Sequence, residues 1–187
     1  RPDAGRLQMV MLRSLRQAKY EPENIGHFGL GYDAYTHFTS PIRRYPDLLV
    51  HRAINAVLQG KQYKPAQKWS ELGAHCSMTE RRADDATRDV EAWLKCFYMR
   101  DHLGSVFPGT VSSVTNFGMF VSLDDLYVEG LVHISELGKD YFHFDAAKHQ
   151  LLGERTAKRF RIGDRVRVKL VRVDIESSKI DFALVDG

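Results

Sequence analysis

Between Leu72 and Phe97, apolar or small residues recur at alternating spacings of four and three: Leu72, Cys76, Thr79, Ala83, Ala86, Val90, Trp93 and Phe97. A recurrence of this kind specifies one long amphipathic helix and predicts a continuous buried seam along it. The small residues Thr79, Ala83 and Ala86 favour close packing against a neighbouring domain over a dimeric zipper. At Asp101-His-Leu-Gly104 the pattern breaks, and beyond it apolar and polar residues alternate with period two. The switch divides the chain into a mainly helical part, residues 1–103, and a β domain, residues 104–187.

Five strands are expected in the β domain, at Phe107–Val114, Met119–Leu123, Tyr127–Val132, Arg165–Val173 and Lys179–Leu184. Turns are expected at Thr115-Asn-Phe-Gly118, Asp124-Asp125 and Glu176-Ser-Ser178. Five short strands so arranged suggest an OB-type barrel. The stretch from Ser135 to Gly163 is longer than such a barrel needs, and carries Tyr141, Phe142 and Phe144 with the basic run Arg155, Lys158, Arg159 and Arg161. Its aromatic residues could cover the barrel end or meet RNA, and packing is the expected role because interleaved apolar residues in a long loop need a surface to bury on.

Ahead of the long helix, Pro2-Asp3 reads as a helix start, with Leu7, Met11, Leu15 and Ala18 as one stripe and Arg6, Arg13 and Arg16 opposite. Ile25 to Phe38 is aromatic and punctuated by glycine, which suits an extended segment or strand edge. A second helix is expected from Pro46 to about Leu58, followed by a polar connection from Gly60 to Lys68. Just before Pro46, the run Thr39-Ser-Pro-Ile-Arg-Arg44 crowds two hydroxyls and two guanidiniums. Arg43 and Arg44 offer planar forks suited to bidentate phosphate contact, and free N–H groups of the following helix turn attract anions. Seen alone, the same residues also read as a loop, a cap and two solvated arginines.

Charge is mild overall, +3, and its distribution is more informative. Residues 1–103 hold 16 basic and 12 acidic side chains, while residues 155–179 hold nine basic against three acidic. Cys76 and Cys96 form no C-x-x-C and read as buried thiols. No run is apolar and long enough for a membrane-spanning helix, and the eight histidines show no zinc-finger spacing.

His27-Phe-Gly-Leu followed by Tyr35-Thr-His-Phe-Thr-Ser-Pro-Ile-Arg-Arg-Tyr-Pro-Asp-Leu resembles the C-terminal part of the catalytic RNB domain of the ribonuclease II/ribonuclease R family. The likeness is greatest to the bacterial ribonuclease R members. Arg1-Pro-Asp, Cys76-Ser-Met-Thr-Glu-Arg-Arg-Ala-Asp and Ala86-Thr-Arg-Asp-Val fit the same family. In the β domain, Gly109-Thr-Val, Asn116-Phe-Gly-Met-Phe-Val, Glu129-Gly-Leu-Val-His-Ile-Ser135 and Ile162-Gly-Asp-Arg-Val-Arg-Val-Lys169 resemble an S1 RNA-binding domain. The resemblance therefore implies an α+β, multidomain chain, a mainly helical portion of an RNB domain followed by a five-stranded S1 barrel.

What the family implies is processive, metal-assisted 3′-to-5′ hydrolysis of single-stranded RNA to nucleoside 5′-monophosphates. The S1 resemblance implies RNA contacts at Phe117, Phe120, His133, Asp174 and Lys179. Arg43 would hold the phosphate at or beside the cleaved bond, Arg44 would support the loop or a neighbouring phosphate, and Thr87 would line the RNA channel. Both rings are expected to be exposed, Phe117 because it sits in a turn, whereas Phe120 taken alone could equally fill the barrel. Arg165, Arg167 and Lys169 alternate with apolar residues, either as an RNA-facing cation row or as an ordinary polar sheet face.

Metal-assisted hydrolysis needs clustered carboxylates. Asp84-Asp85 and Asp124-Asp125 are isolated pairs, and the family's aspartate-rich motif lies upstream of the segment that this chain resembles. The chain is thus expected to be a C-terminal fragment, with Mg²⁺ ligands outside it and no cofactor of its own. The expected partner is single-stranded RNA, met in the cytoplasm by a monomer with no membrane association. A different class, a non-catalytic RNA-binding or scaffold protein of the same fold, stays open.

Overall fold

The computed structural model describes residues 8, 11, 12 and 14–185. Pro2, Asp3, Arg6, Leu7 and Arg13 of the expected first helix lie outside the described residues. Met11, Leu12 and Ser14 are helical, but Leu15 is already at a bend, so Ala18 does not extend the stripe. The chain forms two compact units, one of Met11–Thr87 and the other mainly of Arg88–Gly187.

In the first unit, Ile25 to Phe38 holds a tight turn at its start and contributes no sheet strand. His27 pairs with Tyr32 as a single bridge, enclosing a 3-10 turn at Phe28–Leu30. Gly26 and Gly31 take left-handed backbone with φ of 74° and 69°, which closes the turn. Helix α1, Tyr45–Leu58, has Pro46 in its first turn and stops where Gly60 turns left-handed. The long helix α2, Trp69–Met99, starts within this unit. Leu72 and Cys76 are buried, and Ser77 Oγ accepts the Tyr20 N–H (2.9 Å) while donating to the Gly73 carbonyl (2.8 Å). A Cβ on Gly73 would lie 2.3 Å from the Tyr20 carbonyl oxygen, so only glycine lets the two backbones meet.

The expected continuous seam is interrupted. Ala83, Ala86, Val90, Trp93 and Phe97 are exposed, and the residues that bury near the end of α2 are Cys96 and Met99. The spacing marks an amphipathic helix, but which of its turns are covered depends on what packs against each of them. Both cysteines are free and buried, and burial pushes their thiols up.

The second unit is built on five strands: β1 Val106–Thr115, β2 Gly118–Leu123, β3 Glu129–His133, β7 Arg165–Asp174 and β8 Lys179–Leu184. They close into a barrel in the order β1-β2-β3-β8-β7. All pairings are antiparallel except β3 with β8. Val111, Met119, Val121, Val132, Val168, Leu170 and Phe182 fill the interior, and Cys96 and Met99 join that core. Gly130 is required where the Phe182 ring crosses it, because a Cβ there would sit 2.5 Å from the ring.

Between β3 and β7 the expected loop is a separate three-stranded antiparallel sheet: β4 Phe142–Asp145, β5 Gln150–Gly153 and β6 Arg159–Arg161. Phe142, Leu151 and Phe160 bury in the same core as the barrel. Tyr141 and Phe144 do not, so packing accounts for only one of the three aromatic residues noted in this stretch.

Candidate functional site

The arginine-rich turn is held from below by one buried carboxylate. Asp47 is wholly buried, and its Oδ2 accepts the Ser40 N–H (2.8 Å) and Arg44 Nη2 (2.9 Å). Arg44 N–H in turn donates to the Ser40 carbonyl at 2.9 Å. Burial raises the Asp47 carboxyl, but the Ser40 N–H, the Arg44 guanidinium and the nearby His37 outweigh it and hold it below the ordinary carboxylate value. His51 Nε2 bonds the Phe38 carbonyl at 2.9 Å and stacks on the Phe38 ring at 4.3 Å, fixing the chain that enters the turn.

The consequence is a division of labour between adjacent arginines. Arg44 is committed to Asp47, whereas Arg43 is exposed and its guanidinium has no ion pair or hydrogen bond among the described residues. Asp47 had no role in the sequence reading, and the signal for its clamping role is its place three residues after Arg44. Replacing Asp47 by alanine should lower stability by about 2 kcal/mol, since charged hydrogen bonds are removed but Arg44 can partly rehydrate. Because the folded carboxyl is depressed, this stabilisation is present above the ordinary carboxylate range and fades as pH falls through the folded value. Denaturant titrations of both proteins between neutral and acid pH should therefore converge.

Behind the turn, Tyr20 Oη meets His37 Nδ1 at 2.7 Å and Glu80 at 3.4 Å. Burial first, then the Glu80 charge, push the Tyr20 phenol up to about 12.

On the barrel, the register assembles a surface from alternate residues. Phe120 lies opposite Leu131, Leu131 opposite Asp181, and Asp181 opposite Arg172. None of these four is buried, while Met119, Val121, Val132, Ile180 and Phe182 beside them are, so the row lies on the outer face. Phe117 is exposed in the turn before β2 and meets Phe120 edge to face, centroids 6.1 Å apart. His133 pairs with Gly118 on the neighbouring strand, so Phe117, Phe120 and His133 come together. His133 Nδ1 accepts the Ser135 N–H at 3.3 Å and meets Ser135 Oγ at 2.9 Å, which orients the ring.

Lys179 is exposed on β8 two residues from Asp181, hence on the same face. Asp174 is paired with it in register and lies two residues from Arg172, hence on the same face, where it accepts the Ser177 N–H at 3.1 Å and meets Arg172 at 3.3 Å. The Ser177 N–H, ahead of Arg172, holds its carboxyl low. Arg165, Arg167 and Lys169 are all exposed on β7, alternating with Val166, Val168 and Leu170. They face β1, across from Thr110, Pro108 and Val106. Arg165 is bound to Asp124 at 2.8 Å, so Arg167 and Lys169 are the two of the row without an acidic partner among the described residues. Thr87, exposed on α2, donates its hydroxyl to the Ala83 carbonyl at 3.0 Å. The alternation that gave the barrel strands also marks Leu131, Asp181 and Arg172, which sequence reasoning did not single out.

Residues 2–60 match the RNB domain and residues 100–184 match the S1 RNA binding domain. Ribonuclease R of Escherichia coli strain K12 is 53% identical over 199 residues, an alignment covering 100% of this chain and 24% of that protein. Ribonuclease R of Aquifex aeolicus is 43% identical over 189 residues, with 100% and 27% covered. Among solved structures, Mycoplasma genitalium ribonuclease R in complex with ribose methylated single-stranded RNA aligns with a TM-score of 0.87 at 31% identity, covering 95% of this chain and 29% of that one. The chain thus spans about a quarter of the length of such relatives.

Proposed function

Because this chain belongs to the ribonuclease R family, as the C-terminal part of an RNB domain followed by an S1 domain, we propose that it captures RNA and contacts phosphate within a 3′-to-5′ exoribonuclease. The parent enzyme is read as processive, degrading single-stranded RNA to nucleoside 5′-monophosphates. Residues 1–103 are assigned to the RNB portion and residues 104–187 to the S1 domain. The observation that carries the reading is the cluster of Phe117, Phe120 and His133, displayed outside a barrel whose interior other side chains fill.

Aromatic faces stack on any base, so Phe117, Phe120 and His133 engage a single strand without selecting sequence. Lys179 on the same face meets its phosphates, and Arg167 and Lys169 extend the positive field. Arg43, presented by the turn that Asp47 clamps, places its planar fork on a phosphate and offsets charge that builds there during cleavage. Arg44 supports that turn, and Thr87 lines the channel with a neutral hydroxyl.

The reading includes a divalent metal, Mg²⁺, which when bound supplies Lewis-acid and water-activating chemistry. Among the described residues no three His, Cys, Asp or Glu side chains are grouped to hold a metal ion, and the reading assigns its ligands elsewhere in the enzyme. No helix among the described residues is long and apolar enough to cross a membrane, and the enzyme is read as a cytoplasmic monomer.

Titrating the isotope-labelled chain with a single-stranded oligonucleotide should shift amides at residues 117–120, 131–133 and 179–181 together. Saturating RNA that leaves these amides unmoved would overturn the assignment. Replacing Arg167 or Lys169 by alanine should reduce the slope of log affinity against log salt by about 0.7 for each phosphate left without its cation. An unchanged slope would assign them to an ordinary polar sheet face.

A further inference from the structure

The outer face of the β4–β5–β6 sheet has a composition that its packing does not explain. In register, His143 lies opposite Leu152 and Leu152 opposite Arg159, and all three are exposed. The opposite face, carrying Phe142, Leu151 and Phe160, supplies the buried contacts. Tyr141 leads into this outer row, 66% exposed, with its ring edge-on to His143 at 4.8 Å and 71°. A tyrosine and a histidine held ring to ring in solvent, beside a cation, add nothing to the core.

Neighbouring acids are largely committed. The buried Asp140 carboxylate accepts the Tyr141, Arg155 and Thr156 N–H groups and the Thr156 hydroxyl, which holds its carboxyl well below the usual range. Asp145 caps the Lys148 N–H, and Asp164 accepts the Arg161 N–H. Glu154 lies 3.6 Å from His143, whereas Arg159 has no acidic partner among the described residues. Arg159 also lies in the basic run Arg155, Lys158, Arg159 and Arg161, which Arg165, Arg167 and Lys169 follow in sequence.

We propose that the row Tyr141–His143–Leu152–Arg159 is a second single-stranded RNA-binding surface, which lengthens the path of a strand held by the barrel face and rests on the reading above. Two strand spacings, about 10 Å, separate His143 from Arg159, so a base stacked on the aromatic pair leaves the adjoining backbone over the guanidinium. The surface discriminates by strand length and not by sequence, because it offers stacking and charge without a base-edge code.

The test compares a Tyr141→Ala/His143→Ala/Arg159→Gln variant and, separately, Arg159→Glu with the unaltered chain. The probes are labelled oligouridylates of about five and about twenty nucleotides, chosen around the few-nucleotide footprint of one OB fold. Circular dichroism checks that these surface changes leave the fold intact. The longer probe should bind roughly ten-fold more weakly to both variants, with the shorter one unaffected. Unchanged binding of the longer probe to folded variants overturns the proposal, as does an equal loss for both probes. Phe117→Ala/Phe120→Ala, run alongside, should weaken both probes. Should it weaken neither while the sheet variants still weaken the longer one, the barrel assignment fails and the sheet surface stands.

Discussion

Turnover of the complete enzyme is expected to fall by roughly 10²–10³-fold when Arg43 becomes alanine, the range seen when one preorganised donor to developing charge is removed. Affinity for single-stranded RNA should change by no more than about three-fold, since one phosphate contact is a minor part of a long electrostatic track. The asymmetry follows from the local structure. Arg43 is solvent-facing and uncommitted, while the turn that carries it is fixed through Ser40, Arg44 and buried Asp47, so its backbone is in place before the reaction and its guanidinium is free to meet a phosphate. Arg43→Lys should recover little, because an ammonium cannot reproduce a two-pronged contact. Single-turnover rates and equilibrium binding, measured on the same preparations, separate the two quantities, and parallel losses in both would reduce Arg43 to a binding residue.

Phe117→Ala and Phe120→Ala should show the converse pattern. Each removes a stacking platform worth about 1–3 kcal/mol, so the double variant should lose single-strand affinity by well over ten-fold while cleavage of already engaged RNA continues at its normal rate. The rings touch at 6.1 Å, so their losses are not expected to add without a coupling term. Purine-rich and pyrimidine-rich strands should be affected alike. A folded double variant with full affinity would assign these rings to a protein contact.

The barrel was legible because its strands are five to ten residues long and one face of each is buried, which imposes a clean period of two. All five begin and end within two residues of their expected positions. The β4–β6 sheet was not, since strands of four, four and three residues are too short to display a period. Its closure depends instead on Asp140 bonding across sixteen positions to Thr156, a link that no local pattern announces. The seam of α2 failed for a related reason: spacing shows that a helix is amphipathic, but which turns are covered depends on partners distant in sequence. Ile25–Phe38 resisted because two left-handed glycines fold it back on itself, and the Arg44–Asp47 clamp was hidden among readings equally consistent with a solvated loop. Among the three cations of β7, alternation correctly gave a common exposed face, yet only the structure distinguishes Arg165, held by Asp124, from Arg167 and Lys169.

The central claim is that this chain supplies RNA capture and a phosphate contact, whereas cleavage also needs carboxylates outside it. Incubating the purified chain with labelled single-stranded RNA and Mg²⁺, while following binding and hydrolysis in the same samples, tests it most directly. The account predicts salt-sensitive binding, with a Kd in the micromolar range or weaker, and no shortening of the RNA. Metal-dependent release of nucleoside 5′-monophosphates that disappears on Arg43→Ala would contradict it.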